Sequence, residues 1–117
     1  MLAKDNRLRS HRDYGRVFKK GQTYFSPFFN LGVLFSKLNK SRFGVIISAN
    51  ISKKATIRNL FKRRINSIIQ KNINNLETGL DLTIKVKSAA LNLEYSGLEH
   101  SLTSLFYYAG VLKNKSK

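Results

Sequence analysis

Ile51-Ser-Lys-Lys-Ala-Thr-Ile-Arg-Asn-Leu-Phe-Lys-Arg-Arg64 carries six Lys or Arg in fourteen residues and no acid. Its apolar residues recur at helical spacing, and the pattern runs on. Ile57, Leu60, Phe61, Ile65, Ile68, Ile69 and Ile73 make one wide apolar stripe over a helix from about Lys54 to Asn74. At about 100° per residue, Asn59, Arg63 and Asn66 point away from the stripe, and Arg58 and Lys62 lie on one flank. Arg64 falls inside the apolar arc, where its stem can pack while its head reaches water. Such a helix buries one side and offers the other to a polyanion. Its basic residues crowd the N-terminal half, where backbone N–H groups and the helix dipole also favour phosphate.

Strand patterns flank this helix. Arg42 to Ala49 precedes it, with Val45, Ile46 and Ile47 as a buried-looking run. After it, Leu80, Leu82, Ile84 and Val86 alternate with Asp81, Thr83, Lys85 and Lys87, the signature of a half-buried strand. Strand, helix, strand implies a βαβ unit with a parallel pair.

Further out, Ser10 followed by Asp13 opens a first helix over about 11–20, with Asp replacing the usual Glu of a capping box. Tyr14, Val17 and Phe18 form its apolar face, Lys19 and Lys20 complement the dipole, and Gly21 is a natural residue to end it. Gln22 to Phe25 reads as a short strand that Ser26-Pro27 breaks. From Phe28 the chain alternates, Phe29, Leu31, Val33 and Phe35 on one face, Phe28, Asn30, Gly32 and Leu34 on the other. Antiparallel pairing of these strands in sequence order is the simple reading. Ser96 with Glu99 reads as a capping box for a last helix, with Leu98, Leu102, Leu105, Phe106, Ala109 and Leu112 as its apolar face. The whole is one α+β domain of order αβββαβα, helices packed on a central mixed sheet. Residues 1–9 and 113–117 are expected to be flexible.

Charge bounds the partner. The 117 residues carry +16, from 22 basic and six acidic side chains. Between Asp13 and Glu77 stand thirteen Lys or Arg and no acid. A solvated basic surface kept for solubility needs far less. Nucleic acid is the leading partner and an anionic membrane the second. No apolar run approaches the roughly 20 residues of a membrane span. Met1 to Arg7 has no secretory apolar stretch, and the absence of Cys suits a reducing, cytoplasmic setting. His11 and His100 read as surface residues rather than bases. The scattered Gly15, Gly21, Gly32 and Gly44 make no phosphate-cradling loop. No protein-held metal site and no catalytic side chain are expected. Aromatic residues beside cations suit unpaired bases. Phe29, Phe35, Phe61 and Phe106 read as core; Tyr14 and Phe18 fit either core or the wall of a cleft against Phe28 and Asn30.

Arg42-Phe-Gly-Val-Ile-Ile-Ser48, Ile51 to Asn59 and Phe61-Lys-Arg-Arg64 together resemble the bacterial ribonuclease P protein component. Asn6-Arg-Leu8, Asp13-Tyr14, Val17-Phe18-Lys19 and Gly21 match its start. The chain departs from the family pattern at Ala49-Asn50, Leu60 and Asn66-Ser67. The resemblance implies a ribonucleoprotein that removes the 5′ leader of precursor tRNA, its RNA subunit performing the hydrolysis with Mg2+. It implies RNA contacts at Lys53, Lys54, Arg58, Asn59, Lys62, Arg63 and Arg64, and a leader cleft at Tyr14, Phe18, Phe28 and Asn30. The implied partners are the ribonuclease P RNA and precursor tRNA, with no obligate protein partner, and the implied βαβ crossover is left-handed. A ribosomal or other structural RNA-binding protein remains the alternative. A DNA-reading helix over residues 54–70 would call for a partner helix upstream, where a strand pattern stands.

Overall fold

The computed structural model describes residues 4–8, 10–36 and 39–113. Its elements run α1 (His11–Lys20), β1 (Gln22–Phe25), β2 (Phe29–Phe35), β3 (Arg42–Ile46), α2 (Ala55–Asn72), β4 (Leu80–Val86) and α3 (Tyr95–Ala109). Short 3-10 turns stand at Lys4–Asn6, Ile73–Asn75 and Ser88–Asn92. The order is the αβββαβα read from the sequence.

The first helix begins where its cap predicts, with the Ser10 hydroxyl accepting from the Asp13 N–H at 3.1 Å. It stops at Gly21 for a reason other than left-handed backbone. Gly21 has φ −83°, which any residue can adopt, and its N–H bonds to the Val17 carbonyl at 2.9 Å. Glycine is needed for space: a Cβ there would run into the Val33 carbonyl oxygen and come within 2.7 Å of the Val17 one. Both obstacles are backbone and cannot swing aside. Gly21→Ala should therefore destabilise the fold by about 1–3 kcal/mol in urea unfolding. An unchanged midpoint would show that the helix end can give way. The last helix does end in the left-handed manner, on Gly110 with φ 74°.

The sheet differs from a simple meander. Its order is β1-β2-β4-β3, with β1 antiparallel to β2, β2 antiparallel to β4, and β3 parallel to β4. The connection from β2 to β3 therefore passes over the start of β4. Ser36 donates its N–H to the Gly79 carbonyl at 2.6 Å, and Ser41 donates its hydroxyl to the Glu77 carbonyl at 2.7 Å. The Leu80 N–H donates to that same hydroxyl at 3.1 Å. Bonded on both edges and covered on both faces, β4 is more buried than its alternation predicts: Asp81 and Thr83 are closed off as fully as their apolar neighbours.

One sheet face, with Phe29, Leu31, Phe43, Leu82 and Ile84, packs against Phe61, Ile65, Ile68 and Ile69 of α2 and Leu98, Leu102 and Phe106 of α3. Phe35 shares the alternation but not the burial; the residue is 63% exposed. β1 pairs only with residues 30–33 of β2, so Leu34 and Phe35 run on past it with an open edge beside them. α3 also starts otherwise than its sequence suggests. Its cap is Glu94, without a side-chain bond, so Ser96 lies inside the helix and no capping box forms. Glu99 turns instead to Lys71 of α2 at 3.4 Å, which holds the ammonium pKa above its ordinary value.

Of the ends expected to be flexible, residues 1–3, 9 and 114–117 lie outside the described residues. Residues 4–8 are seated on β3. Leu8 is buried and donates its N–H to the Phe43 carbonyl at 2.9 Å, and the Asn6 amide donates to the Ser41 carbonyl at 2.7 Å. Beyond α3, Lys113 donates its N–H to Asn75 at 2.6 Å.

Candidate nucleic-acid interface

The cationic face is built at the start of α2. A turn over 49–51 and Ser52 lead in from β3, with no helix upstream of the kind that a paired DNA-reading helix needs. The first turn of α2 has no acid and no side-chain cap. Lys53, Lys54, Asn59, Lys62 and Arg63 are exposed. Arg58 is half-buried, because helical spacing sets it above Ile65 at the edge of the buried stripe. One guanidinium nitrogen donates to the Ser52 carbonyl at 2.6 Å, fixing the head over the first turn while its remaining N–H groups stay available. Arg64, also half-buried, sets its guanidinium 5.3 Å from the centre of the Phe61 ring, a cation–π contact. Leu60 is half-buried.

On the other sheet face lies α1. Thr23, Gly32, Thr83 and Gly44 are in register across all four strands, a row of small residues that forms a trough. α1 lies across it. A Cβ on Gly32 would come within 3.0 Å of Val17, and one on Gly44 would strike the Tyr14 ring. The glycines that looked scattered in sequence thus set the depth at which α1 sits. Burial raises the Tyr14 hydroxyl pKa above its usual value.

The helix divides this face into two grooves. One, of about 260 Å³, is lined by Phe18, Thr23, Phe25, Asn30, Gly32, Thr83 and Lys85. Two of the four residues expected in a cleft, Phe18 and Asn30, meet here. Tyr14 lies further along α1 over Gly44, and Phe28 packs against the core cluster. Phe25 and Lys85 were not singled out as groove residues, although strand alternation had already put Lys85 on the outer face of β4. Phe18 and Phe25 are 58% and 67% exposed, so two aromatic rings and an ammonium line an open slot. The buried Asn30 Oδ1 has no hydrogen-bond partner among the described residues. β3 ends at Ile46 opposite Lys85, so the chain leaves for α2 at the same end of the sheet as this groove.

Arg42 ties α1 to the sheet. Its Nε and Nη2 donate to the two carboxylate oxygens of Asp81 at 3.0 and 2.8 Å, and its Nη1 donates to Asp13 of α1 at 3.2 Å. Arg16 adds a longer contact to Asp81 at 3.8 Å. The hydrogen bond to Asp81 is the main reason the guanidinium pKa is raised; its partial burial opposes this. Asp81 is thereby an ion-pair partner. Among the described residues, no three His, Cys, Asp or Glu cluster to hold a metal ion. Among the described residues, no helix is long and apolar enough to cross a membrane.

Residues 2–110 match the profile of the family described as Ribonuclease P. The chain belongs to the ribonuclease P protein family. The ribonuclease P protein component of Pseudanabaena sp. (strain PCC 6903) is 34% identical over 113 residues, covering 96% of this chain and 97% of that protein. That of Finegoldia magna is 36% identical over 104 residues, covering 86% and 88%. In fold, the chain is similar to the RNase P protein of Staphylococcus aureus, with TM-score 0.86 at 21% identity over 92% of this chain and 98% of that one. The Thermotoga maritima RNase P protein gives TM-score 0.78 at 24% identity over 85% and 93%. Membership makes the chain a subunit of a ribonucleoprotein endoribonuclease of tRNA 5′-end processing, with a ribonuclease P RNA as its partner.

Proposed function

We propose that this ribonuclease P protein contacts its RNA subunit through Lys53, Lys54, Arg58, Asn59, Lys62, Arg63 and Arg64, and the 5′ leader of precursor tRNA through the groove beside α1. The observation that carries the proposal is one adjacency. The chain leaves β3 for the cationic start of α2 at the same end of the sheet as the aromatic slot of Phe18 and Phe25, the helix and the slot on opposite faces. One RNA can then be held at the cations while a single strand crosses the slot. Lys and Arg neutralise phosphates and release counterions, and aromatic rings stack on unpaired bases. Asn30 stands in the slot to meet a base edge. In this reading Mg2+ and the hydrolytic chemistry belong with the RNA subunit. Asp13 of α1 and Asp81 of β4 are both held by Arg42 and are poorly placed to bind an ion. The setting that suits these partners is the cytoplasm.

Purified protein should raise precursor-tRNA cleavage by its own RNA subunit at low Mg2+. No stimulation, with folded protein and correct RNA, would sink this function. Arg58→Ala should weaken RNA-subunit binding and lower the slope of log affinity against log salt by about one unit. An unchanged slope would assign Arg58 to holding the Ser52 carbonyl alone.

A further inference from the structure

The second groove beside α1 has no role in the reading above. It lies on the opposite flank of the helix, about 640 Å³ in volume, where Arg16 and Lys20 of α1 face Leu34 and Phe35 of β2. It opens through Lys20, Leu34 and Phe35 into a notch of about 330 Å³ beyond the end of β1, walled by Tyr24 and Ala109. Tyr24 is met edge-on by Tyr108, with ring centres 6.0 Å apart and Tyr108 72% exposed. Phe35 stands at the junction of groove and notch. A Phe so exposed has no part in the core, and the cationic side chains of Arg16 and Lys20 lie on the same surface, Arg16 3.8 Å from Asp81, beside the ion-paired Arg42. The one acid that lines it, Asp13, is bonded to Arg42.

We infer that this groove and notch form a second site for single-stranded RNA, and that its occupant is the part of the precursor leader lying upstream of the Phe18 slot. The chemistry is that of sequence-tolerant strand binding: a ring open for stacking, with cations spaced along the backbone path. Charge and position together choose the occupant. The cations of α2 lie on the other sheet face, whereas the Phe18 slot lies on this one. β1 joins the two sites directly. Alternation along its four residues gives Thr23 and Phe25 to the slot and Gln22 and Tyr24 to the notch. A strand leaving the slot across the edge of β1 enters the notch beside Lys20 and Phe35. The inference rests on the proposed leader contact, and its test separates the two.

Holoenzyme assembled with the full chain is titrated with precursor tRNA carrying a leader of about 5 or about 15 nucleotides, lengths within the range of single-strand sites. Phe35→Ala, through loss of one stacked base, is expected to weaken the long-leader precursor about tenfold. Lys20→Ala, through loss of one phosphate contact, is expected to weaken it several-fold. Both leave the short-leader precursor unchanged. Phe35→Tyr, which keeps a ring, is expected to bind the long leader as the parent does. Phe18→Ala is expected to weaken both precursors. Unchanged long-leader affinity in both alanine variants overturns the second site. So does equal loss on both leaders, or loss of affinity for the RNA subunit without substrate, either of which gives the groove to the RNA subunit. An inert Phe18→Ala beside active Phe35 and Lys20 variants overturns the slot instead.

Discussion

Arg42→Met is expected to cost the fold about 3–5 kcal/mol in urea unfolding, because it strands the Asp81 carboxylate in the interior without its partner. Asp81 is fully buried, and the Arg42 side chain is only 18% exposed. Its forked pair of hydrogen bonds is the strong kind, and nothing else on β3 can replace it. The residual Arg16 contact, at 3.8 Å, is too long and too exposed to serve. The double variant Arg42→Met with Asp81→Asn removes the charge along with its partner and should recover much of the loss. The cycle then isolates the pairwise coupling. A single-variant loss below about 1 kcal/mol would mean that water reaches Asp81 and that the pair behaves as a surface one. Arg42 also holds Asp13, so the same variant should loosen α1 over its trough.

Triple replacement of Lys54, Lys62 and Arg63 by alanine should lower affinity for the RNA subunit on the order of 100-fold at physiological salt, taking about 1 kcal/mol for each charge-assisted hydrogen bond removed. The salt slope should fall by about two to three units, since each phosphate left without its cation takes away somewhat under one. All three side chains are exposed, so stability should stay within about 0.5 kcal/mol. Binding measured across a salt series reads both quantities at once. A large loss of affinity with an unchanged slope would place these residues away from the phosphates and assign their effect to shape or base contacts.

Local chemistry carried much of this fold. Ser10 with Asp13 marked the start of α1, and Lys19-Lys20 before Gly21 marked its end. The period of α2 and the alternation of β4 were plain. Strand order was not, because periodicity says which face a residue takes and nothing about its neighbour. The parallel β3–β4 pair was expected; the insertion of β4 between β2 and β3 depends on Ser36 and Ser41 closing over residues 77–80, a contact between distant parts of the chain. Phe35 was misread because alternation assumes that strands are equally long, and β1 is too short to cover it. Ser96 and Glu99 had the spacing of a cap, but the helix starts at Tyr95, one residue before Ser96, and takes Ser96 into its first turn. In the candidate site, the exposed cations of α2 were legible from charge and helical phase. The slot was only half legible. Phe18 and Asn30 meet in it, but Phe25 and Lys85 reach it through a register that no local pattern fixes. The trough of Gly32 and Gly44 needed the sheet itself to be seen.

The central place of β4 also governs the order in which the molecule can be completed during synthesis. β3 and the basic helix leave the ribosome before the strand that joins them to β1 and β2. The sheet cannot close until residues 80–86 of the 117 have emerged. Until then the nascent chain holds its densest run of cations on a helix with no complete sheet behind it. A product cut short before Val86 would keep the polyanion-seeking segment and lose the architecture that aims it.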